Sequence, residues 1–274
     1  VLRGHVTAEK ARLAVCVIRA YCAQRVLKRP GYMTLFAEIN NLWGRKADVT
    51  EVFSSIQGEG IFIGAKQVFV RFAKCNMECA YCDEKKDGRV REYSTLELMK
   101  EVRRVESDKG MHHSISLTGG EPLIWWEFLR DFLRLLKMEG RKSYLETNGT
   151  MPSELSRVID FVDIIAMDFK LPSSTGCRSY WDEHAEFLRI AGRKKVFVKA
   201  VVTPSTTHED IMAAADLIRQ IDPNLPFILQ PATPAGSVGR IGNDRLIEFL
   251  DGAARKQLTS VRVIPQVHKA LNIK

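Results

Sequence analysis

Short apolar runs alternate with amphipathic stretches from residue 49 onward, and the two periods are easy to separate. Lys66–Phe72, with Val68, Phe69 and Val70 at its centre, predicts a strand, as do Ser114–Leu117, Ser143–Glu146, Phe161–Met167, Lys195–Val202, Pro226–Gln230 and Val261–Ile264. Between them, Thr95–Val105, Arg178–Ile190, His208–Gln220 and Asp244–Arg255 have helical spacing. Trp125–Met138 does too, with Trp126, Leu129, Phe132, Leu133 and Leu136 on one face. Strand–helix alternation of this kind predicts an α/β fold, a parallel sheet joined by crossover helices. Several connections are short or poorly helical. A partial, truncated TIM-like barrel of about six parallel strands therefore fits better than a closed eight-fold one. Neither internal repeats nor low-complexity segments interrupt the pattern.

Residues 1–48 follow no such pattern and form an N-terminal extension of unknown role, set apart from a domain over 49–274. Residues 8–28 can form one amphipathic helix, which Pro30-Gly31 breaks. Met33 precedes the first segment that makes sense as a domain start, so residues 1–32 read equally as a surface helix or as sequence translated from upstream. Charge separates the extension further. Residues 1–34 hold seven Lys/Arg and one acid, so most of the net charge of +8 lies there and residues 35–274 carry only +2. A nearly neutral body gives no nucleic-acid footprint. No apolar run approaches the roughly 20 residues of a membrane helix, and Leu13 to Ile18 is cut short by Arg19. The expectation is a soluble, cytoplasmic protein with neither a membrane nor a nucleic-acid partner.

Six cysteines are too few for a disulfide scaffold, yet three of them crowd into Cys75, Cys79 and Cys82. The spacing is C-x3-C-x2-C, on a loop just after a predicted strand. Three thiolates can each ligate a different iron of a cubic cluster and leave the fourth iron open for a small chelating molecule. Structural zinc wants four protein ligands; Cys177 is far along the chain and no histidine lies nearby. Thr118-Gly119-Gly120-Glu121-Pro122, Glu146-Thr147-Asn148-Gly149 and Asp168-Phe169-Lys170 each follow a predicted strand, where barrel sites are built. Glu121 offers an acceptor to an ammonium. Taken singly, Asn148-Gly149 is also a plain turn and Asp168 also a cap.

The cysteine loop, with Tyr81 before its third cysteine, resembles the signature of the radical S-adenosylmethionine superfamily. The resemblance implies a 4Fe–4S cluster on Cys75, Cys79 and Cys82 that splits S-adenosylmethionine to methionine and a 5′-deoxyadenosyl radical. It further implies cofactor contacts from Tyr81, Gly119, Gly120, Glu121, Thr147, Asn148, Asp168, Lys170 and Gln230, and an external electron donor such as flavodoxin or ferredoxin. Upstream, Phe53-Ser54-Ser55-Ile56-Gln57-Gly58-Glu59-Gly60, then Gly64 and Phe69-Val70-Arg71, precede the cysteines. With Gln266-Val267-His268-Lys269 near the end, these closely resemble the 7-carboxy-7-deazaguanine synthase family. That resemblance spans about residues 49–272. It implies radical ring contraction of 6-carboxy-5,6,7,8-tetrahydropterin to 7-carboxy-7-deazaguanine with loss of ammonia, toward queuosine-type nucleosides, in a homodimer. Substrate contacts are then expected from Gln57, Gly58, Glu59, Arg71, Gly119 and His268. Glu59 and Gln57 suit the donor–acceptor edge of a pterin, and the Arg71 fork suits its carboxylate. Each also has an ordinary reading, as loop polar groups or a solvated strand residue. The family often places Thr after Cys-Asp as a magnesium ligand; here Asp83 and Glu84 are the candidates, carboxylates being suited to Mg2+. A radical activase acting on a protein partner shares the cysteine spacing and is the alternative.

Overall fold

The computed structural model describes residues 45–83, 89–234, 236 and 238–273. The expectations for residues 1–44 and for Glu84 lie outside the described residues. The compact unit comprises Lys46–Lys274, so its first strand starts ahead of the boundary expected at residue 49.

Among the described residues nine strands form one sheet: β1 (Lys46–Ile56), β2 (Lys66–Phe72), β3 (Arg91–Ser94), β4 (Ser114–Gly119), β5 (Ser143–Thr147), β6 (Ile164–Asp168), β7 (Lys195–Val202), β8 (Phe227–Pro231) and β9 (Val261–Val263). Their spatial order is β3-β1-β2-β4-β5-β6-β7-β8-β9. From β2 through β9 every neighbour is parallel, which makes seven parallel strands rather than the expected six; β1 and β3 add an antiparallel margin. The sheet stays open, with β3 and β9 at its two ends, in keeping with a partial barrel.

Among the described residues eight helices follow in chain order: α1 (Thr95–Lys109), α2 (Trp126–Met138), α3 (Pro152–Val158), α4 (Pro172–Thr175), α5 (Trp181–Ala191), α6 (His208–Ile221), α7 (Asn243–Arg255) and α8 (Val267–Ala270). The start of α1 is set chemically. Ser94 accepts from the Glu97 N–H while the Glu97 carboxylate accepts from the Ser94 N–H, which satisfies two otherwise orphaned donors. Among the described residues no helix is long and apolar enough to cross a membrane.

Period-two alternation splits the strands between two environments. Val68, Val70 and Phe72 of β2, Leu145 of β5, Met167 of β6 and Val198 of β7 join the main core with helix residues such as Leu129, Phe132, Phe187 and Ile218. The intervening residues point to the other, inner face. There a small second cluster of Tyr144, Ile164, Ala166, Phe197 and Ile228 is covered by Ile61 and Phe62, from the loop after β1. Phe62 stands edge-on to Tyr144 at 5.6 Å. The loop therefore acts as a floor under the inner face, which also carries polar side chains such as Ser116, Glu146, Asp168, Lys199 and Gln230.

Candidate active site

The cysteine loop leaves the carboxyl end of β2 and is tied down on two sides. Asn76 accepts from the Asn148 side-chain amide at 2.7 Å and donates to the Thr150 hydroxyl at 2.9 Å. On the other flank the Ala80 N–H donates to the Thr175 carbonyl at 2.8 Å. The end of β4 meets the base of the loop directly. The Gly120 N–H donates to the Phe72 carbonyl at 3.0 Å and the Glu121 N–H to the Lys74 carbonyl at 2.9 Å. A methyl group at Gly120 would stand 1.8 Å from the Lys74 carbonyl oxygen, so only glycine permits this approach.

The thiols suit a group that brings its own positive charge. Burial pushes Cys79 up to about 12 and also raises Cys75, so bonding to iron would supply the stabilisation that the desolvated thiolates lack. Cys75 is electrostatically linked to both Cys79 and Cys82. Among the described residues no three His, Cys, Asp or Glu side chains are arranged to hold a single metal ion. Cluster binding asks something different of them, because each thiolate bonds its own iron.

Around the loop stand the ends of β4, β5 and β6. Glu121 is fully buried and accepts from Leu123 N–H at 3.0 Å, the Thr147 hydroxyl at 2.9 Å and Asn148 N–H at 2.7 Å. Burial outweighs these donors and lifts its carboxyl to about 7. Its carboxylate thus ties β4 to β5, and the part-exposed groups at this strand end are Thr118, Gly119 and Gly120. This differs from the expected open acceptor for an ammonium. The reason is that the side chain turns back into the β4–β5 junction. Thr147 and Asn148 are themselves buried. Lys170 donates to Asp168 at 2.8 Å and to the Tyr81 hydroxyl at 3.3 Å. Burial works against its ammonium, yet Asp168 keeps it firmly protonated. The second carboxylate oxygen of Asp168 and the Gln230 carbonyl oxygen are buried with no hydrogen-bond partner. Unsatisfied acceptors cost about 1–3 kcal/mol each, so both residues fit a donor-bearing ligand such as S-adenosylmethionine.

The segment Gln57–Glu59 lies elsewhere than at the strand ends. Since β1 runs antiparallel to β2, with Ile56 opposite Lys66, the segment enters from the far end and crosses the inner face. Gln57 is 2 % exposed; its amide donates to Gln67 and Glu146, both at 3.0 Å, and its oxygen accepts from the Glu59 N–H at 3.0 Å. Its side chain is therefore built into the floor. Glu59 pairs with Lys199 of β7 and accepts from Gln266 at 2.9 Å. Burial disfavours its charge, but the Lys199 ammonium prevails and holds the carboxyl at about 2. The C-terminal segment packs on the same floor. Val267 N–H donates to the Gly58 carbonyl at 2.9 Å, and a methyl at Gly58 would overlap the His268 ring, 2.2 Å from Nδ1. Gly58, Glu59 and His268, distant in sequence, are thus brought together. Arg71 falls on the inner side of β2, with its Nε 3.6 Å from Glu51 and its guanidinium 5.9 Å above Phe53. Asp83 pairs with Lys269 at 3.1 Å.

Three participants went unnoticed in the sequence. Asn76 was read only as part of the loop. Lys199 was read as one residue of a strand, although a lone cation inside Val196-Phe197-Val198-Lys199-Ala200-Val201-Val202 demands a buried partner. His184, fully buried on α5, stacks on Phe169 at 4.7 Å and lies 3.2 Å from the Asn148 carbonyl; burial lowers it to about 4, so it is neutral.

Comparison with known proteins agrees with this geometry. Residues 69–218 match the model of the radical SAM superfamily. A 7-carboxy-7-deazaguanine synthase from Geobacter sulfurreducens is 41% identical over 242 residues, covering 81% of this chain and 96% of the relative. One from Methanothermobacter thermautotrophicus is 34% identical, covering 84% and 98%. Among solved structures, QueE from Escherichia coli superposes with a TM-score of 0.58 at 20% identity, over 83% of this chain and 97% of that one. A radical SAM methyltransferase from Sphaerobacter thermophilus also reaches 0.58, at 17% identity over 95% and 89%. The last two likenesses bear on the fold.

Proposed function

The chain belongs to the 7-carboxy-7-deazaguanine synthase family of the radical SAM superfamily, and we propose that the residues around its cysteine loop and inner-face floor carry out that family's reaction. The chain converts 6-carboxy-5,6,7,8-tetrahydropterin to 7-carboxy-7-deazaguanine, releasing ammonia, as a radical SAM lyase. The observation that carries the assignment of residues is the set of bonds joining the cysteine loop to the ends of β4 and β5 through Gly120, Glu121, Asn76 and Asn148. The activase alternative is not favoured, since the relatives reported above carry the name of the small-molecule enzyme, 7-carboxy-7-deazaguanine synthase.

Cys75, Cys79 and Cys82 would hold the 4Fe–4S cluster, which when bound supplies the electron for reductive cleavage of S-adenosylmethionine. Gly119 and Gly120 offer backbone groups to the cofactor, and Asp168 and Gln230 offer their unpartnered oxygens. Tyr81 and Lys170 close the site beside them. Glu121, Thr147 and Asn148 hold the strand ends in register, so their contribution to cofactor binding is through position. Glu59 stays ionised and accepts from the pterin N–H edge, while Arg71 meets the substrate carboxylate with its fork. Gly58 lets His268 approach, and Gln57 fixes the floor beneath. The buried floor and the capping C-terminal segment keep water from the reacting ring.

Three finer features rest on the family resemblance. Asp83 and Glu84 would offer carboxylate oxygens to Mg2+, which would supply charge stabilisation for the substrate. Flavodoxin or ferredoxin delivers the electron. The enzyme works as a cytoplasmic homodimer. Anaerobic incubation with the carboxypterin, S-adenosylmethionine and dithionite tests the whole reading. Formation of 7-carboxy-7-deazaguanine supports it; cofactor cleavage with no change in the pterin refutes it.

A further inference from the structure

Lys199 is a cation in the middle of an apolar strand, with its side chain nine-tenths buried. A buried ammonium is costly unless paired, and here three carboxylates from three elements surround it. Glu59, from the floor, touches it directly. Asp168 of β6, its neighbour in register, and Glu146 of β5 add their fields. Of the three, Glu59 is the one whose charged partner is Lys199 itself. Asp168 has Lys170, and Glu146 has the Gln57 amide and the Ser116 hydroxyl at 2.9 Å. The other oxygen of Glu59 is held by Gln266, whose own carbonyl accepts from Thr233 at 2.5 Å. Among the described residues of the C-terminal segment, His268, when protonated, adds a further charge facing Glu59. The carboxylate is thus fixed from both ends, by β7 and by Gln266, the residue just before α8.

We propose that Lys199 is a positioning residue for substrate recognition: with Gln266 it orients Glu59 and keeps it ionised as the acceptor for the amino and ring N–H groups of the pterin. This rests on the reading of Glu59 as a substrate contact. Without Lys199, burial of Glu59 would be opposed by the smaller effects of the Gln266 hydrogen bond and the His268 field. Its carboxyl would protonate nearer neutral pH, and a protonated carboxyl presents a donor where the pterin edge presents donors. The effect falls on KM for the pterin and leaves the cofactor site alone.

The experiment compares Lys199→Met, Lys199→Arg, Glu59→Gln and the Lys199→Met/Glu59→Gln double variant, each reconstituted anaerobically. Lys199→Met is expected to raise KM for the carboxypterin by about 30-fold or more, the scale for breaking a buried charge pair. Cofactor cleavage without pterin and the affinity for S-adenosylmethionine should be unchanged. Its kcat/KM should fall on the acid side of neutrality where the parent is flat, and Lys199→Arg should restore most of the loss. The double variant should be no worse than the weaker single one, because both remove one interaction. If Glu59→Gln raises KM while Lys199→Met does not, the proposal is overturned and Glu59 remains a substrate contact. If Glu59→Gln leaves KM unchanged, the reading of Glu59 itself fails. A parallel loss of cofactor affinity in Lys199→Met would make the lysine a general support of the fold and also overturn the proposal. Should Lys199→Met not fold, Lys199→Gln, uncharged but able to donate, is read by the same criteria.

Discussion

Replacing Gly120 by alanine probes the joint between the cysteine loop and the sheet with a single methyl group. That methyl would lie 1.8 Å from the Lys74 carbonyl oxygen and 2.4 Å from its carbon. Both obstacles are backbone, so no rotamer change can relieve them. Restoring ordinary contact requires Lys74 and Cys75 to move away by roughly 1 Å, a displacement that can cost about 100-fold in rate when it misplaces reacting groups. The Glu121 N–H to Lys74 carbonyl bond, 2.9 Å in the parent, would stretch past bonding distance. Its loss in a buried setting costs about 1–3 kcal/mol. Gly120→Ala should therefore fold with a lowered melting temperature and take up less than half the parent's iron on anaerobic reconstitution, with cofactor cleavage falling by about 100-fold. Gly140→Ala is the control, since a methyl there meets nothing within 4 Å and only its positive φ of 68° is strained. Full iron content and parent-like cleavage in Gly120→Ala would show that the joint does not position Cys75, and the reasoning would fail.

Changing Cys75, Cys79 or Cys82 to alanine should abolish cofactor cleavage, and the parent should bind about four irons per chain; stoichiometric zinc without iron-dependent colour would contradict this. Arg71→Ala should cost about 2–5 kcal/mol in carboxypterin conversion while cleavage without substrate persists; parallel loss of both activities would move Arg71 to the cofactor site or the fold. Glu121 titrates at about 7 in the folded protein against 4.5 in the unfolded chain. The native state thus holds a proton that the unfolded chain releases, and stability should drop by about 3 kcal/mol as pH rises from 4.5 to 7. Urea unfolding of cluster-free protein at pH 5 and pH 8 checks this, and Glu121→Gln, whatever its absolute stability, should lack that component. Removing residues 1–32 should leave turnover and melting temperature unchanged, because no proposed site residue lies there; a loss of either would give the extension a structural role.

The parallel strands were legible because their apolar runs are short, dense and punctuated by polar turns; β2 and β7 fall at their expected limits. β1 was not, because Glu51, Ser54 and Ser55 break its apolar run and its residues are half-buried along most of its length. The ordinary reading of Gln57 and Glu59 as loop polar groups follows from that. The antiparallel entry of β1, which puts these residues under the inner face, depends on pairing that no local pattern encodes. α3 escaped notice because seven residues give too few turns for a periodic signal. The strand-end motifs were recognisable as a group, but the direction of each side chain was not. Glu121 looks identical in sequence whether it opens to a ligand or turns back to clamp β5. Lys199 could have been found by parity, since alternation from Phe197 places it on the inner face beside Asp168.

The most direct measurement of the central claim is one anaerobic turnover experiment that follows pterin, cofactor and ammonia together. Reconstituted protein with dithionite, S-adenosylmethionine and 6-carboxy-5,6,7,8-tetrahydropterin should yield 7-carboxy-7-deazaguanine and ammonia in equal amounts. Many products should form per cofactor cleaved, because the reading has the 5′-deoxyadenosyl radical take a hydrogen atom from the pterin and return it at the end of each turnover. Cleavage of the cofactor with the pterin recovered intact, or stoichiometric cofactor loss for each product, would contradict the account.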